Sequence, residues 1–150
     1  ILEAQGLVRR LATRHVVVAD FSEKVINEIY EMIGEVEKKA ICDLLETGTE
    51  WIYDCKCENS EEQFHTFVYE TITNEFFRRL LETSYDCFIR FAICETKAGK
   101  ESENKKKRSE CLQKIHQAYC KEEKKPIQEE LEIYYNLLKD NVKEERGFER

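Results

Sequence analysis

Turn-forming residues are scarce in this chain, and that scarcity limits the fold more than any other feature: there are five glycines and one proline in 150 residues. Sheets need frequent turns, so such a sequence favours a few long elements, which means helices. The apolar pattern agrees. Ser22 is suited to cap a helix start, and Ile26, Ile29, Tyr30, Ile33, Val36, Ala40, Ile41 and Leu44 follow at spacings of three and four. Gly34 weakens that helix by about 1 kcal/mol relative to alanine, and "ETGTE" at 46–50 ends it.

Ser60, with Gln63 at the reciprocal capping position, predicts a second helix bearing Phe64, Phe67, Val68, Thr71 and Ile72. Asn74 predicts the start of a third, with Phe76, Phe77, Leu80, Leu81, Tyr85, Phe88, Ile89 and Ala92 as the clearest helical stripe. Residues 97–110 read as a charged loop, and the basic run from Lys105 to Arg108 as a solvated part of it. A fourth helix carries Cys111, Leu112, Ile115 and Tyr119. After the turn "KEEKKP", Pro126 suits the first turn of a last helix with Ile127, Leu131, Tyr134, Tyr135, Leu138 and Val142. "LVRRL" and "HVVVA" read as two short strands, too little sheet to stand alone. The expected fold class is all-α, an antiparallel bundle of about five helices with a short β-hairpin at the N-terminus.

A formal net charge of −7 argues against nucleic-acid binding by this piece alone, since that requires a basic footprint. The seven cysteines are odd in number and follow no secretory signal, so reduced thiols in a cytoplasmic protein are expected. No apolar run approaches the roughly 18 residues of a membrane span, and no membrane partner is expected. A chain that opens on Ile1 is expected to be a piece of something longer.

The order of elements resembles a known family. "LEAQGLVRRLATRHVVVADFS" is similar to the last helix and wing of a GntR-type winged helix-turn-helix, and "SEKVINEIYEMIGEVEKKA" to the start of the C-terminal domain of the FadR subfamily. "FHTFVYETITNEFFRRLLETSYDCFIRF" resembles the F-H-x-x-L to R-I-R-R-F stretch of that domain, and "IHQAY" with the last helix resembles its close. The resemblance divides the chain into a winged-helix remnant at 1–20, a helical effector-binding and dimerisation domain of the FCD type at 21–146, and a tail at 147–150. It implies a homodimeric, non-enzymatic sensor of a small carboxylic acid. Such a sensor controls operator DNA only through the N-terminal domain, nearly all of which lies outside this sequence. The sequence departs from the family in a wing turn without glycines, in Ile33 where the family has arginine, and in the short stretch between Leu45 and Glu61.

The family's metal set is an Asp and a His four apart on one helix, then two further histidines on the last two helices. Here Glu61 and His65 hold the first two places, Leu112 the third and Asn136 the fourth, with His116 one turn beyond Leu112. A carboxylate and an imidazole four residues apart share a helix face and suit zinc or a similar divalent ion. The resemblance therefore implies Glu61, His65 and His116 as a reduced metal site, and Glu61, His65, Arg90, His116 and Asn136 as the effector pocket. A metal-free polar pocket, or no working pocket, remains open. Arg90, unlike Arg78 and Arg79, matches the family's basic stretch and suits a forked contact to a carboxylate.

Cys55 and Cys57 form a C-x-C pair without a second pair to complete a zinc knuckle, and His15 reads as a surface residue of the wing. Phe76, Phe77 and Phe88 fit a core or a dimer face. An enzyme is not expected, because the sequence lacks a paired Glu-x-x-His set and a nucleophile with a matched base. The rival to a sensor is a stand-alone helical interaction module without an effector.

Overall fold

The fold was obtained as a computed structural model, in which residues 8–10, 16–18, 22–93 and 103–145 are described. Strands β1 (Val8–Arg10) and β2 (Val16–Val18) pair antiparallel, with Val8 opposite Val18. Helices follow: α1 (Glu23–Glu46), α2 (Ser60–Thr71), α3 (Glu75–Ser84), α4 (Arg90–Ile93), α5 (Glu103–Cys120) and α6 (Lys124–Glu145). A π-helical turn, Tyr85–Ile89, joins α3 to α4 without leaving helical geometry. These three segments make one rod, and the described residues from 22 onward form a helical bundle of five rods. Among the described residues, no helix is long and apolar enough to cross a membrane.

Local chemistry explains most boundaries. Ser22 caps α1 by accepting from the Val25 N–H at 3.3 Å, and Asn74 caps α3 by accepting from the N–H groups of Phe76 and Phe77 at 3.1 Å each. α1 ends at Gly48, whose φ of +68° is open to glycine without strain, and the N–H groups of Gly48 and Thr49 close back on Leu45 and Leu44. α5 ends the same way without a glycine: Glu122 takes φ +58°, and Glu122 and Glu123 bond back to Tyr119 and Ala118.

Two expectations are corrected. Asn59, not Ser60, is the residue before α2, and it makes no side-chain cap; its Oδ1 instead accepts from Gln63 Nε2 at 2.9 Å. The basic run Lys105–Arg108 is not a loop but part of the first two turns of α5, and Arg108 is completely buried. The calls made on residues 1–7, 11–15 (His15 included), 19–21, 94–102 and 146–150 lie outside the described residues.

The core is continuous. It takes Ile26, Tyr30 and Ile41 from α1, Phe64 and Val68 from α2, Leu81 from α3, Leu112 and Ile115 from α5, and all six apolar positions expected of α6. Between α1 and α2 the chain is irregular, but Trp51 pins it inward. The indole stacks on Phe67 at 4.9 Å and meets Tyr119 edge-on at 5.1 Å.

α1 and α6 approach closely at Gly34, where an added Cβ would lie 3.1 Å from Cγ of Tyr135. Tyr135 cannot easily yield, since its hydroxyl donates to Glu37 Oε1 at 3.0 Å. The overpacking cost exceeds the roughly 1 kcal/mol of helix propensity that alanine supplies. Gly34→Ala is therefore expected to lower stability by about 1 kcal/mol in urea unfolding, where an ordinary helix-interior glycine would raise it.

Candidate functional site

A chain of polar side chains runs through the apolar interior and ties four helices together. Tyr135 on α6 donates to Glu37 Oε1 of α1. Glu37 Oε2 lies 2.7 Å from Nδ1 of His65 on α2. Nε2 of His65 lies 2.8 Å from the Tyr134 hydroxyl of α6. That hydroxyl donates to Glu61 Oε1 at 2.7 Å. Arg108 of α5 forks onto Glu61 through Nε at 2.9 Å and Nη2 at 3.3 Å, and its Nη1 reaches Asn104 Oδ1. Asn104 Nδ2 ends the chain on the Leu137 carbonyl at 2.9 Å.

Helix periodicity assembles this chain. Glu61 and His65 are four apart on α2, as are Asn104 and Arg108 on α5, so each pair shares a face. Tyr134 and Tyr135 are neighbours on α6 that diverge towards the two carboxylates. Glu37, His65, Tyr134 and Arg108 are buried, while the Glu61 side chain keeps 16% of its surface exposed.

The hydrogen-bond directions follow from counting protons. Arg108 aims two N–H groups at Glu61, so both carboxylate oxygens act as acceptors. Tyr134 has one proton and gives it to Glu61, so its oxygen must accept from His65 Nε2–H. Nδ1 and Glu37 Oε2 then share one proton. Burial, reinforced by the charge of Glu61, holds the Tyr134 hydroxyl well above the usual tyrosine range. Burial and Glu37 do the same for Tyr135, and burial with Glu62 pushes Tyr85 up to about 12 against the pull of Arg90.

Glu61 is where this chain meets the surface. It lines a cleft of about 480 Å³ together with Lys56, Ser60, Lys105, Ser109 and Leu112. The cleft bears both signs of charge, and the Arg108 guanidinium lies one carboxylate away from it.

The structure brings together only part of the expected site. Glu61 and His65 both bond the Tyr134 hydroxyl. His116 is held elsewhere: Nε2 lies 2.7 Å from the Trp51 carbonyl, which it must serve as donor, and 3.7 Å from Cys120 Sγ. Asn136 is exposed and lines a separate groove between α1 and α6 with Glu31, Lys38 and Lys139. Arg90 is a surface residue, 3.8 Å from Glu62, 3.5 Å from Asp86 and 5.2 Å over the Tyr85 ring.

As placed, Glu61, His65 and His116 do not form a ligand set for zinc. Both ring nitrogens of His65 are engaged, and Leu112, at the third position that the resemblance implies, is apolar and buried. Among the described residues, no group of three or more His, Cys, Asp or Glu converges on a metal position. Cys57 helps fold its own loop, with Sγ 3.2 Å from Asn59 Oδ1 and 3.5 Å from Gln63 Nε2. Burial raises the thiols of Cys42 and Cys87, and that of Cys111 to about 11, which makes them poor nucleophiles.

Sequence reasoning missed Glu37, Arg108, Asn104 and the role of Tyr134. For Glu37 a signal was available, because it falls four residues after Ile33 and four before Ile41 on the apolar face of α1.

Removing one member of a buried pair leaves the other uncompensated. Arg108→Met is expected to cost about 3 kcal/mol in urea unfolding, and the Arg108→Met/Glu61→Gln double variant to recover more than half of that. In alkali the sign is fixed by the raised tyrosines. The folded chain keeps protons that the unfolded chain releases near pH 10, so stability is intact below that value and falls above it. Tyrosinate absorbance from Tyr134 and Tyr135 is expected to rise only together with loss of helical circular dichroism.

Against known proteins, the chain matches no family model, and no curated protein or solved structure gives a match.

Proposed function

We propose that this chain is a non-catalytic sensory domain, the effector-binding part of a GntR/FadR-type transcriptional regulator, which reads a small carboxylic acid at the cleft beside Glu61. One observation carries this reading: Glu61 lines an open cleft, and the buried Arg108 guanidinium forks onto it from behind, within a polar chain that reaches α1. An incoming carboxylate competes with Glu61 for the fork. Its binding frees the acceptor of the Tyr134 proton, and so alters the contacts of α2 and α6 with α1. A ligand shifts a protein between states only through such differential contacts. In a regulator, the shift would change the spacing of two attached winged helices and hence operator affinity.

A second reading has its own observation. Leu112, Tyr134 and Glu61 already occupy the space and the fork that an effector would use, which favours an interaction module that no longer senses a ligand. Thermal-shift titration with mono- and dicarboxylates separates the two. A sensor gains melting temperature with ligand concentration as mass action requires, and the gain disappears in Arg108→Met. No shift with any carboxylate at millimolar concentration would sink the sensor and leave the module. A helix-turn-helix encoded directly upstream of Ile1 would support the regulator.

A further inference from the structure

Residues 47–59 join α1 to α2 and carry two free thiols one residue apart, Cys55 and Cys57. Both are half-buried, and both line the cleft that Glu61 borders. No other described cysteine is placed this way. Cys42 and Cys111 are buried, burial raises the thiol of Cys87, and Cys120 is exposed at the C-terminal end of α5 beside His116. The pair lacks the further ligands of a zinc site, since among the described residues no third His, Cys, Asp or Glu converges on it. Two thiols that solvent can reach have another chemistry, which is to bond to each other.

The local backbone favours that bond. The Asp54 carbonyl accepts from the Cys57 N–H at 3.2 Å, and Asp54 Oδ1 accepts from the Lys56 N–H at 3.0 Å. Cys55 and Cys57 are therefore the second and last residues of one β-turn. Such a turn keeps its ends within about 7 Å, and a disulfide spans Cα separations of roughly 4.4–6.8 Å. Because the turn is already formed, closing the pair fixes little further backbone.

The Cys57 sulfur also belongs to the start of α2. Its S–H donates to Asn59 Oδ1 at 3.2 Å, and Gln63 Nε2 donates to Asn59 Oδ1 at 2.9 Å and to Cys57 Sγ at 3.5 Å. Asn59 makes no side-chain cap on α2, and this triangle stands in for one.

We propose that Cys55 and Cys57 are a reversible redox pair, closed to a disulfide by a hydroperoxide, and that closure loosens the first turn of α2. One thiol gives up its proton and attacks a peroxide oxygen. The O–O bond breaks, the sulfur becomes a sulfenic acid, and the departing oxygen takes the proton to leave as alcohol or water. The second thiol attacks that sulfur, the S–S bond forms, and the sulfenic hydroxyl leaves as water with the second proton. Two electrons pass from the sulfurs to the peroxide. The new bond removes the Cys57 S–H and turns its sulfur towards Cys55, so Asn59 loses a donor and Gln63 an acceptor. Glu61 lies two residues beyond Asn59, so the change reaches the cleft. The pair needs no effector and would serve a sensor and an interaction module alike.

The test treats the 150-residue chain with a small excess of hydrogen peroxide. Cleavage after Glu50 and Glu58 isolates residues 51–58, which hold both thiols. By mass spectrometry that peptide is expected to have lost two hydrogens, to resist alkylation, and to regain both thiols with dithiothreitol. Cys55→Ser is expected to abolish the loss while keeping the contacts of Cys57, with its fold checked by circular dichroism. Hydrogen exchange at the Gln63 amide, which bonds the Asn59 carbonyl at 3.0 Å, is expected to quicken about fivefold on oxidation, as loss of a helix cap would cause. The same amide is expected to stay unchanged in peroxide-treated Cys55→Ser. A pair that stays reduced while Cys120 is oxidised overturns the proposal. So does a disulfide from either thiol to another cysteine or to a second copy, overoxidation without a disulfide, or a closed pair that leaves exchange at Gln63 unaltered.

Discussion

The fork of Arg108 on Glu61 is the contact on which the polar interior depends. It holds a full positive charge in an apolar bundle, and everything upstream follows from it. With both Glu61 oxygens accepting, the Tyr134 proton has one destination. His65 must then donate from Nε2, and its other nitrogen is left to Glu37. Each step removes one choice of hydrogen-bond direction, and together they set α1, α2, α5 and α6 in one relative arrangement. A buried ionic chain gives little net stability compared with a well-packed apolar core. What it supplies here is selection, since sliding any one of the four helices would leave a charge or a hydroxyl without its partner.

This division of labour explains why the apolar and polar parts of the sequence were unequally legible. The core of α6 was readable residue by residue, because Ile127, Leu131, Tyr134, Tyr135, Leu138 and Val142 keep a strict helical period and all are buried. The caps at Ser22 and Asn74 were readable for the same reason: their chemistry is local. Arg108 was not. It sits at the end of a run of three lysines, and composition alone marks such a run as solvated. Only the phase of α5, which turns Asn104, Arg108, Cys111, Leu112 and Ile115 to one side, shows that the arginine points inward. The uncertain start of α5 hid that phase.

The site shows the same limit in a different form. Spacing placed Glu61 and His65 on one face, and they do share a partner. Spacing within α5 also placed His116 on the face of Leu112, but the irregular segment carrying Trp51 supplies a carbonyl that captures the imidazole first. A loop without periodicity gives no warning of where its backbone oxygens will lie. For Asn136 and Arg90, the family pattern named positions, whereas the bundle's own packing set Tyr134 and Arg108 at the polar centre instead.

The order of protons along Arg108, Glu61, Tyr134 and His65 is the most direct measure of the account. A nitrogen–proton correlation spectrum of the imidazole groups, assigned with a His65→Gln variant, reads it. The account predicts a proton bound to Nε2 of His65, protected from exchange by burial, and lost from that position when Tyr134→Phe removes its acceptor. A bare Nε2 resonance in the native protein would mean that Tyr134 donates to His65 and not to Glu61, and would contradict the arrangement at its centre.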